Sequence, residues 1–324
     1  QHEASAYAHS LSMWRCYCAR HKDCEVLVEW ENFLEKRDYP TVSNEEGRKL
    51  GLAWNRWFAL QRHIEAYEWV FTADPDQFIS HQCFLSYSFT DVLREAQVKD
   101  MNTPRPVIIM RDFPRFHTLN SAGVFFRGSE AARLFLSLLT SRMHWIGLPD
   151  FDQSAFDQSI IEFLDLWRNV QEQQSDFSRS AKCVSAQMPW LDSQSMLELY
   201  FDCWHGFVQS FFGSFGQRGG EMNPEAPVWF LNPEIVDVNY VVGGRSTTDD
   251  PLVWHLAGRL KSQSNAQGEK FMDIILKNLW HIPEERRLTE ESCSWWEMMA
   301  EQNASLCSPG TEVVDCRLGH HSVC

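Results

Sequence analysis

The chain has 324 residues and is 44% apolar, enough for one large core or two modest ones. Twenty-nine basic residues stand against 44 acidic ones, a formal charge of −15 that excludes a duplex-binding surface, so nucleic acid is not an expected partner. The apolar runs are too short for a transmembrane helix, and residues 1–20 lack the apolar block of a signal peptide.

In chain order, residues 4–20 read as a helix, and CEVLVEW (24–30) as a short strand. Residues 48–66 space their apolar positions at three and four, predicting an amphipathic helix. YEWVFTA (67–73) is aromatic and β-branched, and reads as a buried strand. FTDVLREAQV follows as a helix, RPVIIMRD as a strand and SAGVFFRG as another strand. The last ends at a Gly-Ser that can cap the helix EAARLFLSLLTSRM. A further helix begins near Asp152. The second half is less regular. It offers an aromatic-rich helix at 195–212, strands near 228–231, 235–242 and 252–255, and a helix at 268–280. Alternating strands and helices predict an α/β fold, a mixed sheet with helices on both faces. Residues 1–282 are expected to form the main domain, and 283–324 a tail stapled by its four cysteines.

The first strand runs into Asp74 and Asp76, one residue apart. Asp and Pro are common in turns, so D-P-D is most simply a surface turn. Two carboxylates at a strand end can also face one hard cation, which in turn can neutralise a diphosphate leaving group. The ten cysteines include a C-x-C at 16 and 18 that lacks the second pair of a zinc site. Their even number fits disulfides, and Asn303 opens the sequon N-A-S. Together they favour a secretory compartment.

Four segments in order resemble nucleotide-sugar glycosyltransferases of the GT-A type, nearest to the retaining glycogenin-like, galactosyl- and xylosyltransferase families. They are AWNRWFALQRHIEAYEWVFTADPDQFI, LNSAGVFFRGSEAARLFLSLL, FDQSAFDQSIIEFL and PLVWHLAGRLK, spread over roughly residues 50–265. The resemblance implies a GT-A, Rossmann-like sheet. It puts Arg56 near the nucleotide, Asp74 on nucleotide and metal, and Asp76 on the metal directly. In the second segment the family has N-[AST]-G-V beneath the donor sugar. This chain has N-S-A-G-V, so either Asn120 is displaced or Ser121 takes the Asn position. Asp152, Gln153 and Asp157 match D-Q-x-x-[FL]-[ND] at a helix start, where Asp also serves as an ordinary N-cap. The family places the Asp-Gln pair beside the anomeric carbon, the catalytic position.

His255, Gly258 and Lys261 reproduce H-x-x-G-x-x-K. There the imidazole is the third metal ligand, the glycine admits the diphosphate to the backbone, and the lysine faces the leaving group. A lone histidine beside an apolar strand is otherwise a satisfied core residue.

The function implied is transfer of a sugar from a UDP-sugar to a hydroxyl of a carbohydrate or glycoprotein acceptor. It would depend on Mn²⁺ or Mg²⁺ and take place in the Golgi lumen. The family has a nucleotide-binding strand ahead of the first helix, whereas this sequence opens on the helix, so either that strand is trimmed away or the N-terminus is arranged differently. Trp190, Trp204, His205, Phe230 and Trp254 are either core or part of an acceptor groove. Two alternatives stay open: an inactive relative that binds glycans or partners, and a metal hydrolase built on Asp74, Asp76 and His255.

Overall fold

The computed structural model describes residues 2–29, 33, 53–74, 76–97, 107–111, 121–143, 152–172, 227–231, 240–241, 252–255 and 293–306. They fall into two compact units. One is drawn from Gln1–Val28, Ala73–Met101 and Leu231–Cys324, the other from Glu29–Thr72 and Asn102–Phe230. Both helices and mixed pairing, parallel and antiparallel, are present, making the chain α/β.

The first unit opens with α1 (His2–His21), which buries Met13, Trp14, Cys16 and Tyr17. The Tyr17 hydroxyl donates to the carbonyl of Tyr87 at 2.6 Å, and burial, then the charge of Asp23, raises its pKa well above the ordinary value. Lys22, with φ 58°, leaves the helix in the left-handed conformation that ends many helices. The expected strand at 24–30 is not formed, since residues 24–29 have no regular structure. A disulfide from Cys18 to Cys24 ties this segment back to the helix, and Leu27 faces solvent at 46% exposure. Among the described residues the apolar alternation therefore has no sheet to join.

Strand β2 (Gln77–Ile79) pairs antiparallel with β7 (Val253–His255), and β7 pairs parallel with β6 (Tyr240–Val241). Between β2 and β6 in sequence come α3 (His81–Ser86), capped by the Ser80 hydroxyl on the Cys83 N–H, and α4 (Phe89–Gln97). The helix α7 (Cys293–Leu306) is bonded to α1 through Cys16–Cys293. Trp296 is fully buried there, and its indole donates to the Ser12 hydroxyl at 3.3 Å. Of the expected tail, Cys293–Leu306 is thus helical and tied to α1 by one disulfide. The Arg20–Glu297 pair at its edge is exposed on both sides and contributes little.

At the start of α4, the Asp91 N–H donates to the Ser88 hydroxyl at 3.2 Å, and the Asp91 carboxylate accepts from the Ser88 N–H at 2.9 Å. This reciprocal pair is a capping box. Burial alone would raise the Asp91 pKa, but the bonds from Ser88 and the neighbouring Arg94 outweigh it and lower the value. Because the folded value lies below the unfolded one, the stabilisation is complete above the unfolded value of about 3.9. It fades as pH falls through the folded value. Asp91→Ala is expected to cost about 1 kcal/mol at pH 7. Urea denaturation along a pH series should show that difference shrinking toward zero in acid.

The second unit holds α2 (Asn55–His63), which passes into a 3₁₀ turn at Ile64–Ala66, and a four-stranded sheet. Its strands are β1 (Trp69–Thr72), β3 (Ile108–Arg111), β4 (Val124–Arg127) and β5 (Val228–Leu231), in the order β1-β4-β3-β5. Pairs β1–β4 and β3–β4 are antiparallel, with Phe126 opposite Val70 on one side and Ile108 on the other. Gly123, at φ 70°, turns the chain into β4 while its N–H donates to the Thr72 carbonyl. Gly128 at the far end has no room for a side chain, because a Cβ would stand 2.0 Å from the Tyr67 carbonyl oxygen.

Helix α5 (Glu130–Ser141) starts at Ser129, whose hydroxyl accepts from the Ala132 N–H. The helix is expected from sequence, and it buries Ala132, Phe135, Leu136 and Leu139 as a stripe at helical spacing. Helix α6 (Asp152–Glu172) sends Phe156 and Phe163 against Phe135, and Trp57 of α2 stacks on Phe156 at 5.3 Å. Aromatic interlock of this kind fixes where α6 begins relative to α2. The helices expected at 195–212 and 268–280 lie outside the described residues, as do Trp190, Trp204 and His205. Phe230 and Trp254 are buried, so they belong to the core.

A candidate metal centre

Asp74 lies two residues beyond β1, and Asp76 directly precedes β2. The Gln77 N–H donates to the Asp74 carbonyl at 3.0 Å, the bond from residue i+3 to residue i that closes a β-turn. The Gln77 side chain bonds the same turn, its Oε1 accepting from the Asp74 N–H at 2.7 Å. Asp74 and Gln77 therefore close a turn, as the composition of this stretch suggests. That turn also places both carboxylates at the end of β2.

Pairing supplies the third group. Register sets Gln77 opposite His255, the last residue of β7, so the imidazole arrives beside Asp76. His255 Nε2 is 3.4 Å from Asp76 Oδ1 and 3.8 Å from Asp74 Oδ2. One donor atom from each of the three lies within 4.8 Å of the others, and the group could hold a metal ion. A divalent ion about 2.1 Å from each donor, at angles near 90–110°, needs donors about 3.0–3.5 Å apart. The two separations from His255 lie in that range or just beyond it. Two carboxylate oxygens and one imidazole nitrogen suit a hard to borderline divalent cation. Asp76 and His255 side chains are 6% and 5% exposed, while Asp74 is 29% exposed, so a further ligand has its approach on the Asp74 side.

The second unit gathers another set of the sequence-selected residues. The Arg56 guanidinium donates through Nε to Asp152 Oδ2 at 3.0 Å, and its NH2 group donates to the same oxygen and to the Ser121 hydroxyl. Trp57 Nε1 donates to that carboxylate oxygen at 2.7 Å. Arg56 also lies over the Trp57 ring, 4.6 Å from its centre. Arg56, Ser121 and Asp152, chosen from three separate motifs, are thus one hydrogen-bonded cluster. Asp152 is the first residue of α6, where the helix dipole favours an anion. Gln153 is half-buried and Asp157 fully buried. Asn120, Gly258 and Lys261 lie outside the described residues, and Asn303 falls within α7.

Two contributors escaped the sequence. Trp57 reads only as an apolar position of an amphipathic helix, and nothing in its spacing announces an indole aimed at Asp152. Gln77 follows the D-P-D directly, and its one signal is a polar residue opening a buried strand. No protein-family model, curated protein or solved structure matches the chain.

Proposed function

We propose that the chain is a metal-dependent glycosyltransferase of GT-A type, moving a sugar from a UDP-sugar to an acceptor hydroxyl on a glycan or glycoprotein. The observation that carries this is the convergence of Asp74 and Asp76 with His255, residues from two motifs far apart in the chain. Asp76 and His255, buried and fixed by the β2–β7 pairing, would hold Mn²⁺ or Mg²⁺ from the protein side. Asp74, the most open of the three, would face the nucleotide. A bound divalent ion supplies positive charge to a departing diphosphate. The same reading gives Gly258 and Lys261 to the diphosphate, and Asp152 and Gln153 to the donor sugar, with retention of configuration. The Cys16–Cys293 and Cys18–Cys24 disulfides fit an oxidising compartment, and with this activity the Golgi lumen. Among the described residues no helix is long and apolar enough to cross a membrane.

One observation favours a second reading, an inactive relative that keeps the scaffold. Arg56 and Asp152 are committed to each other and to Trp57 and Ser121, as purely structural residues would be. Calorimetric titration of UDP, with and without Mn²⁺, separates the two. Metal-dependent binding that weakens at least about tenfold in Asp76→Ala is the expected result. A folded native chain that ignores UDP in both conditions would remove the transferase reading.

A further inference from the structure

We propose that Gln77 is the positioning residue of the Asp74–Asp76–His255 group, closing the turn that presents both carboxylates and keying it to the strand that carries the histidine. The inference rests on the reading of that group as a metal centre. Gln77 is fully buried and has its polar groups distributed in three directions. Its side-chain Oε1 and its backbone N–H both bond Asp74, one from each side of the turn. Its backbone carbonyl accepts two buried donors from α1, the Ser10 hydroxyl and Trp14 Nε1, each at 3.0 Å. Across the sheet it is the register partner of His255.

A buried glutamine at the head of a short strand is costly unless its amide is used. Here the side-chain oxygen and the backbone N–H are spent on the backbone of a carboxylate residue, and the backbone carbonyl on α1. The two aspartates therefore inherit their position from α1 and β7 through one residue. A side chain that orients ligands without touching the ion commonly changes metal affinity by about 10- to 100-fold when removed.

The experiment compares the native chain with Gln77→Met, which keeps length and apolar bulk but loses the acceptor, and with Gln77→Glu, which restores an acceptor. Two quantities are read: hydrogen exchange at the Asp74 amide, and Mn²⁺ affinity from the spin-resonance signal of free ion. In Gln77→Met the amide should exchange at least about tenfold faster and Mn²⁺ bind about tenfold more weakly. Gln77→Glu should bring both back to within about threefold of native. Unchanged exchange in Gln77→Met, or faster exchange with unchanged Mn²⁺ affinity, overturns the assignment. If Gln77→Met does not fold, Trp14→Phe removes one donor to the Gln77 carbonyl and should weaken Mn²⁺ about threefold, and an unchanged affinity again overturns it. A native chain that binds no Mn²⁺ overturns the metal centre itself, and the role of Gln77 with it. A failure confined to the variants overturns Gln77 alone.

Discussion

His255→Ala is expected to lower Mn²⁺ affinity by on the order of 100-fold, about 2.7 kcal/mol. The imidazole is the one nitrogen of the group and lies 3.4 and 3.8 Å from the two carboxylates it joins. Without it, two acidic side chains on a turn remain, a weak and unselective site. The backbone contribution of residue 255 to the β2–β7 pairing does not need an imidazole, so the sheet should survive the change. The competing view, that His255 is an ordinary core histidine, predicts the opposite profile. Truncating a side chain that is 5% exposed would then cost stability through a cavity and leave Mn²⁺ binding where it was. Measuring free Mn²⁺ and the urea midpoint on one preparation discriminates the two. Affinity within twofold of native would show that any bound ion sits elsewhere.

The candidate site was legible in the sequence only in pieces. D-P-D announced a turn and a possible cation site, and the two are compatible because the turn bond runs through backbone atoms and uses neither carboxylate. His255 was legible as a motif position. Its arrival beside Asp76 depends on the register of two three-residue strands, which is too short a pattern to be read from alternation. For the same reason β2 went unseen, and α3 after it, although Ser80 is a normal N-cap. Long periodic segments such as α5 and α6 were visible because helical spacing accumulates over several turns. CEVLVEW misled because alternation describes a strand only where a partner exists. The Cys18–Cys24 bond holds that segment near the end of α1 instead. In the tail, the polar composition hid an amphipathic turn, with Trp296 and Ala300 buried four residues apart.

Asp152→Ala should destabilise the second unit by about 2–4 kcal/mol, the largest stability effect expected of any residue chosen from sequence. Breaking a buried ion pair by removing one partner costs about 3–5 kcal/mol, because the survivor stays behind with its charge. Here Arg56 is 22% exposed and can recover some water, which lowers the figure, while the orphaned Trp57 N–H raises it. Asp152→Asn keeps the shape and one acceptor oxygen, and should cost about half as much.

The informative variant replaces both partners. Arg56→Met with Asp152→Leu removes the two charges together, so it should be less destabilised than either single change. Urea denaturation of the four proteins closes the cycle, and additive losses would refute the pairing as an energetic unit. The double variant also separates structure from function. If the Arg56–Asp152 pair only anchors the start of α6, a folded double variant retains whatever donor binding the native chain has. If either member also serves the donor, that variant keeps its fold and loses donor binding. Because Asp152 is one of the cluster's acceptors and also the catalytic position under the proposed function, a loss of activity in Asp152→Ala alone would decide nothing. Only the pair of measurements, stability and donor affinity on the same double variant, tells whether the Arg56–Asp152 pair is structural alone.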